Sequence, residues 1–260
     1  MRIVLSCLCS AIALTAAAPA FAEDTAPPPA ITINGSATVV TDYRFRGVSQ
    51  TDNNAAIQGS ITVAHESGFY VSVWGSSVNG YVTAAGTSGV ELDLIGGFKK
   101  TFGGTTFDIG VLYYYYPKTK IAGDTSSSDF AEPYLAVSHT FGPVTAKGTV
   151  AYAPKQKALK LDQATGASRD NVYLAGDLSA SIPGTPLGLI GHLGHSFGPS
   201  WLASDGVKSE YTDWSVGATA TFKAITVGVS YVDTDANFIA ASSGKKISNG
   251  AVVGSVGVSF

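Results

Sequence analysis

The chain has 260 residues, a formal net charge of -3, 13% charged residues and 30 glycines. Soluble domains carry roughly 25% charged residues, so this composition, with its positive mean hydropathy, argues against one, and the mildly acidic balance excludes an electrostatic nucleic-acid binder. Beyond the first 22 residues no stretch has the ~18 consecutive apolar residues of a membrane helix; a β-barrel, apolar only at alternate positions, reconciles these facts.

Residues 1–22 read as an export signal. Arg2 gives a thin basic start, Ile3 to Ala18 an apolar core, and Ala20-Phe21-Ala22 a small-x-small cleavage site. Both cysteines, Cys7 and Cys9, lie inside it, so the exported chain is expected to have no disulfide or thiol chemistry. Residues 23–30, with Pro27-Pro28-Pro29, read as a periplasmic lead-in, and residues 31–260 as one barrel domain.

From Ile31 the period is two. In the first strand Ile33, Gly35, Ala37, Val39, Tyr43 and Phe45 fall on one face, and Thr32, Asn34, Ser36, Thr38, Asp42, Arg44 and Arg46 on the other. The split recurs across 55–64, 69–76, 90–99 and 107–116, where Phe107, Ile109, Val111, Tyr113 and Tyr115 oppose Asp108, Tyr114 and Tyr116. Further strands are predicted near 131–140, 144–153, 171–182, 187–196, 211–222, 225–233 and 251–260. The expected fold is all-β, a transmembrane antiparallel up-and-down barrel of about twelve strands.

The connections alternate in length. Gly47–Asn53, Ser77–Gly89, Pro117–Asp129, Pro154–Asp170, Phe197–Glu210 and Thr234–Gly250 are long and polar. Glu66–Gly68, Thr101–Gly104, Gly142–Pro143, Pro183–Pro186 and Lys223–Ala224 are tight. Short periplasmic turns and long extracellular loops are the asymmetry of outer-membrane barrels; a β-sandwich has no reason for it. Outward aromatics fall in two bands: Phe69, Phe98, Phe107, Phe141, Phe222 and Phe260 near the tight turns, and Tyr43, Tyr113, Tyr115, Tyr152 and Tyr231 toward the loops. Val256, Val258 and Phe260 share a face of the last strand, which resembles the signal read by the barrel-assembly machinery.

The run Asp42-Tyr43-Arg44-Phe45-Arg46-Gly47, then Ser49-Gln50-Thr51, Gly68-Phe69-Tyr70, Trp74-Gly75-Ser76, Glu91-Leu92-Asp93 and Tyr113–Tyr116, resembles the opening of a proteobacterial family. Its members are described as TorF-type outer-membrane porins or as conserved hypothetical proteins. The resemblance implies an outer-membrane barrel with a transport role.

Lumen-facing charges follow from the alternation. Asp42, Glu91, Asp93, Asp108, Glu132, Asp177 and Asp213 outnumber Arg44, Arg46, Lys99 and Lys147, and with Tyr114 they are expected to line a pore that prefers cations slightly. Glu91 and Asp93, two apart on one face, could act as acid and base or hold a divalent cation; a pore wall balanced by Arg44 and Arg46 is the simpler reading. An enzyme would need a Ser/His site from His65 and Ser67, or from His192, His195 and Ser196. The first pair lies beside a tight turn, and alternation points His192 inward and His195 outward, so no catalytic residue is assigned. No metal, phosphate-loop or nucleotide motif is present, and no cofactor is expected.

The expected function is a channel for passive diffusion of small hydrophilic solutes, with outer-membrane lipids, the assembly machinery and small solutes or ions as partners. The alternative is a non-conducting structural or adhesive barrel, plugged by inward Tyr70, Trp74, Tyr114 and Tyr116.

Overall fold

The computed structural model describes residues 29–79, 88–117, 128–160, 167–198, 200, 202–203 and 208–260. The expected export segment and residues 23–28 of the lead-in lie outside them. The strands are β1 (Ile31–Val40), β2 (Arg44–Phe45), β3 (Val48–Ser49), β4 (Ala56–His65), β5 (Phe69–Ser77), β6 (Val90–Phe102) and β7 (Thr105–Tyr115). They continue with β8 (Phe130–Phe141), β9 (Val144–Ala153), β10 (Asn171–Ser181), β11 (Leu187–Phe197), β12 (Glu210–Phe222), β13 (Ile225–Thr234) and β14 (Ala251–Ser259).

Twelve of these close into one barrel, in the order β1-β14-β13-β12-β11-β10-β9-β8-β7-β6-β5-β4 and back to β1. Every pairing is antiparallel between chain neighbours, except the seam where β1 meets β14. Closure leaves no unpaired edge, the condition for β-structure in hydrocarbon. Barrel strands of 9–13 residues match the ~9–11 residues that cross a bilayer when tilted.

Alternation puts apolar side chains on the outer surface. Ile57, Val71, Ile109 and Leu178 are each more than half exposed, whereas inward Leu112 and Tyr114 on β7 are 1% exposed. This inverts a soluble protein and suits a lipid-facing wall. The aromatic bands are present: Phe69, Phe107, Phe141, Phe222 and Phe260 are exposed at the tight-turn end, and Tyr113, Tyr115, Tyr152 and Tyr231 toward the loops. Phe98 is half-buried, its ring edge-on to Phe69 at 5.1 Å. Three of the tyrosines donate to a carboxylate at the loop edge: Tyr113 to Asp129 at 3.4 Å, Tyr152 to Asp170 at 3.2 Å and Tyr231 to Asp233 at 2.7 Å. An apolar ring in lipid with a hydrated hydroxyl marks that edge of the membrane.

The opening segment departs from expectation. β1 ends at Val40, and Thr41–Ala55 leaves the wall. Tyr43 and Phe45, expected to face lipid, are 1% and 9% exposed and lie inside the lumen. Gly47–Asn53, expected as an extracellular loop, folds inward with them. Had the strand run on through Arg46, it would have sixteen residues, more than the bilayer requires.

Candidate functional site

β2 and β3 form a miniature hairpin, with Arg44 opposite Ser49 and Phe45 opposite Val48. Arg46 and Gly47 make its two-residue turn at φ 48° and 80°, the left-handed pair that fits a tight hairpin. Gly47 is needed there, because a Cβ would lie 2.8 Å from Thr234 Cβ and 3.0 Å from Asp233 O.

The tip crosses the lumen. Arg46 Nη2 donates to both oxygens of Glu132 on β8, at 2.7 and 2.9 Å, and Nη1 donates to Asn171 Oδ1 on β10 at 3.0 Å. Its guanidinium sits 4.0 Å from the Tyr173 ring centroid. β8 and β10 flank β9, the strand six steps from β1 either way round the wall, so the hairpin spans the barrel from one side to the other. At its root Arg44 Nε pairs with Asp42 at 2.5 Å and Nη1 donates to the carbonyls of Gly47 and Asn249. Asp42 also accepts from Ser49 and Thr51 hydroxyls, at 2.5 and 3.0 Å. Arg44 and Arg46 therefore do not neutralise Glu91 and Asp93; their partners are Asp42 and Glu132.

The hairpin's apolar side chains fill the loop half of the lumen. Tyr43 packs edge-on to Trp74 at 5.3 Å, Phe45 edge-on to Tyr114 at 5.8 Å, and Tyr114 stacks on Phe130 at 4.3 Å. Val48 joins Ile247, Ala236 and Ala240 from the β13–β14 connection, which also folds onto the hairpin through Ser49 N–H to Ile247 O at 2.8 Å. Glu91 is buried in this layer and accepts from Tyr43 and Tyr116 hydroxyls at 2.8 and 3.2 Å. Asp93 is buried beside it, one rung further in.

Toward the tight turns the lumen is different. Lys99 pairs with Asp108 at 2.9 Å and Lys147 with Asp177 at 2.9 Å; the two lysine side chains are each 22% exposed and that of Asp177 32%. Asp108 also accepts from Tyr70 and Tyr134, whose hydroxyls bond each other. His192 bonds Asp177 through Nδ1 at 2.7 Å and Asp213 through Nε2 at 2.9 Å, and Asp213 accepts from Tyr173. Two inward tyrosines of this half lie against glycines of the wall, Tyr70 across Gly97 and Tyr134 across Gly110, where a Cβ would come within 3.0 Å of them. Tyr114 and Tyr116, by contrast, are buried in the hairpin layer.

Of the serine–histidine candidates, His65 Nδ1 bonds Ser67 Oγ at 2.8 Å on an exposed turn, with no carboxylate on the ring among the described residues. His192 is held by two aspartates, and outward His195 bonds Thr212 at 2.8 Å against Phe197.

A closed antiparallel wall, apolar outside between two aromatic bands and ion-paired inside, is a transmembrane β-barrel of the outer-membrane type. The chain belongs to the family described as bacterial protein of unknown function (Gcw_chp), which matches residues 23–260. The TorF-type designation suggested by the opening motifs is not the description this family carries. Among solved structures the chain is similar to the NanC porin in a rhombohedral crystal form, with 12% identity, 88% of this chain and 99% of that one covered, and a TM-score of 0.58. It is also similar to a chain solved in work on in-meso crystallization of membrane proteins, at 10% identity, 87% and 83% coverage and a TM-score of 0.52. The outer membrane channel DcaP of Acinetobacter baumannii superposes more loosely, at 11% identity, 88% and 97% coverage and a TM-score of 0.44. At such identities the likeness is one of fold. No curated protein matches the sequence.

Proposed function

We propose that this protein is a porin-like outer-membrane channel for passive diffusion of small hydrophilic solutes, narrowed on its loop side by the Thr41–Ala55 hairpin. The supporting observation is the turn-side lumen, where Lys99–Asp108 and Lys147–Asp177 keep part of their surface accessible and the tyrosines lie flat on the wall. Ion pairs wholly removed from water cost more than they return, so a partly exposed belt of them fits a hydrated path. Residues 1–22 and the Val256, Val258, Phe260 face serve export and recognition by the assembly machinery in this reading. No enzymatic step belongs to it.

The weak cation preference rests on Glu91. Asp42, Asp108, Glu132, Asp177 and Asp213 each have a cationic neighbour, whereas the hydrogen-bond partners of Glu91 among the described residues are tyrosine hydroxyls. In this reading that carboxylate biases the field across the hairpin layer toward cations.

The hairpin's complete crossing favours a second reading, a sealed barrel with a structural role. Planar-bilayer recording of the refolded protein separates the two. Discrete conductance steps with reversal potentials on the cation side, shifted toward zero in Glu91→Gln, support the channel. Silence in the natural protein with conductance in a variant lacking residues 42–53 overturns it in favour of a barrel sealed by the hairpin.

A further inference from the structure

The Thr41–Ala55 hairpin is tied to the wall unequally at its two ends. At the root, backbone groups bond it to the near side of the barrel. Thr41 N–H donates to Gly254 O on β14 at 2.9 Å, and Asn79 N–H, just past β5, donates to Gln50 O at 2.9 Å. β14, β1, β4 and β5 are consecutive round the barrel. Across the lumen no backbone hydrogen bond among the described residues joins the hairpin to β6–β12. Side chains hold it there: Arg46 on Glu132 and Asn171, and Tyr43 on Glu91.

Most of the hairpin's polar groups find their partners within one body. Asp42 accepts from Arg44, Ser49 and Thr51 of the same segment, and Arg44 donates to Gly47 O and Asn53 Oδ1. The β13–β14 connection is fastened to that body. Arg44 Nη1 donates to Asn249 O at 2.8 Å, Ser49 N–H to Ile247 O at 2.8 Å and Ser243 Oγ to Asp52 at 2.7 Å, while Lys245 pairs with Asp52 at 3.3 Å. Residues 241–246 of the connection are exposed.

The wall groups that receive the hairpin each have a second partner on the wall. Tyr114 donates to Glu132 at 3.1 Å, Asn171 Nδ2 donates to Phe197 O at 2.6 Å, and Tyr116 donates to Glu91 at 3.2 Å. A buried polar group stripped of every partner is what makes such a withdrawal costly. Here Glu132, Asn171 and Glu91 keep one each, and the groups that leave, the Arg46 guanidinium and the Tyr43 hydroxyl, would meet water.

We propose that the hairpin and the β13–β14 connection form one hinged gate, rooted at β14 and β5 and latched across the lumen by Arg46 on Glu132 and Asn171. Burial of Tyr43, Phe45 and Val48 makes the closed form the resting one, with the open form a minor population of roughly 0.1–10%. The left-handed backbone at Arg46 is a strain that release relieves. The proposal rests on the barrel being a channel, and it states what opens it.

The test is planar-bilayer recording of open probability separately from unitary conductance. A fixed constriction alters the second; a gate alters the first. The natural protein should open briefly to one level. Arg46→Met combined with Glu132→Gln removes the latch without leaving a buried unpaired charge and should raise open probability roughly tenfold or more at unchanged unitary conductance. Arg46→Cys with Glu132→Cys, in a background with Cys7 and Cys9 replaced by serine, is bridged by a short bifunctional methanethiosulfonate; openings should vanish and return with reductant. Heat-modifiable migration in gels reports folding, and the cysteine pair before and after bridging carries the test if the double variant does not fold. Steady current whose open probability the latch variant leaves unchanged, or undiminished current through the bridged protein, overturns the gate and leaves the channel standing. Silence in every variant, or conductance confined to one lacking residues 42–53, overturns both.

Discussion

Arg46 concentrates more of this structure's chemistry than any other side chain. It occupies a left-handed backbone position that asparagine or glycine fills at lower cost, roughly 1 kcal/mol for another residue. That strain is offset by a buried two-pronged contact to Glu132, a bond to Asn171 and the face of Tyr173. Truncation would leave the Glu132 carboxylate buried and without its partner, a change that costs about 3–5 kcal/mol. Arg46→Ala should accordingly lower the urea midpoint of the refolded protein markedly, whereas Arg46→Met combined with Glu132→Gln should recover much of the loss; equal midpoints for the two variants would contradict this. Lysine is no substitute, because it lacks the planar fork whose two nitrogens hold Glu132 and Asn171 at once.

At the scale of elements, the hairpin layer separates a filled half of the lumen from a polar half. Replacing residues 42–53 by a short glycine linker removes Tyr43, Phe45 and Val48 from the interior and should raise single-channel conductance several-fold. Gly97→Val should act oppositely: the added side chain meets the Tyr70 ring, lifts it off the wall and lowers conductance, provided the barrel still forms. Most of the wall was legible beforehand, because lipid on one side and water on the other impose a strict two-residue alternation that ten-residue segments display plainly. The hairpin was not. Asp42, Arg44 and Arg46 alternate with Tyr43 and Phe45 whether the chain is spanning the membrane or crossing the lumen, so periodicity alone continues the strand. Two physical signals pointed elsewhere: sixteen residues exceed the bilayer's needs, and Arg46-Gly47 fits a two-residue turn. The turn-side ion pairs were half legible. Alternation placed Lys99, Asp108, Lys147, Asp177 and Asp213 inside, but their order round the wall depends on register, which only the paired strands reveal.

For the whole molecule, the outer face governs where the protein can reside. An arginine at Val111, near the middle of β7 and 46% exposed, should cost about 2–4 kcal/mol in a bilayer, the usual penalty for a cation at mid-depth. Ser179→Arg, at a half-buried position on the inner face of β10, should cost less where the lumen is hydrated. Equilibrium unfolding from lipid vesicles compares the two; a smaller loss for the Val111 variant would contradict the assignment of faces.

The seam sets a different constraint, one of timing. Gly35 and Phe260 exchange both backbone hydrogen bonds, and the Phe260 ring occupies the space a Cβ at residue 35 would need. The wall's first strand therefore finds its second neighbour only when the far end of the polypeptide has emerged, making this the contact of longest loop-closure distance and a slow one. Until then two hydrogen-bonding margins and an apolar surface stand open to water, and the incomplete wall is exposed to aggregation for as long as the seam is unmade.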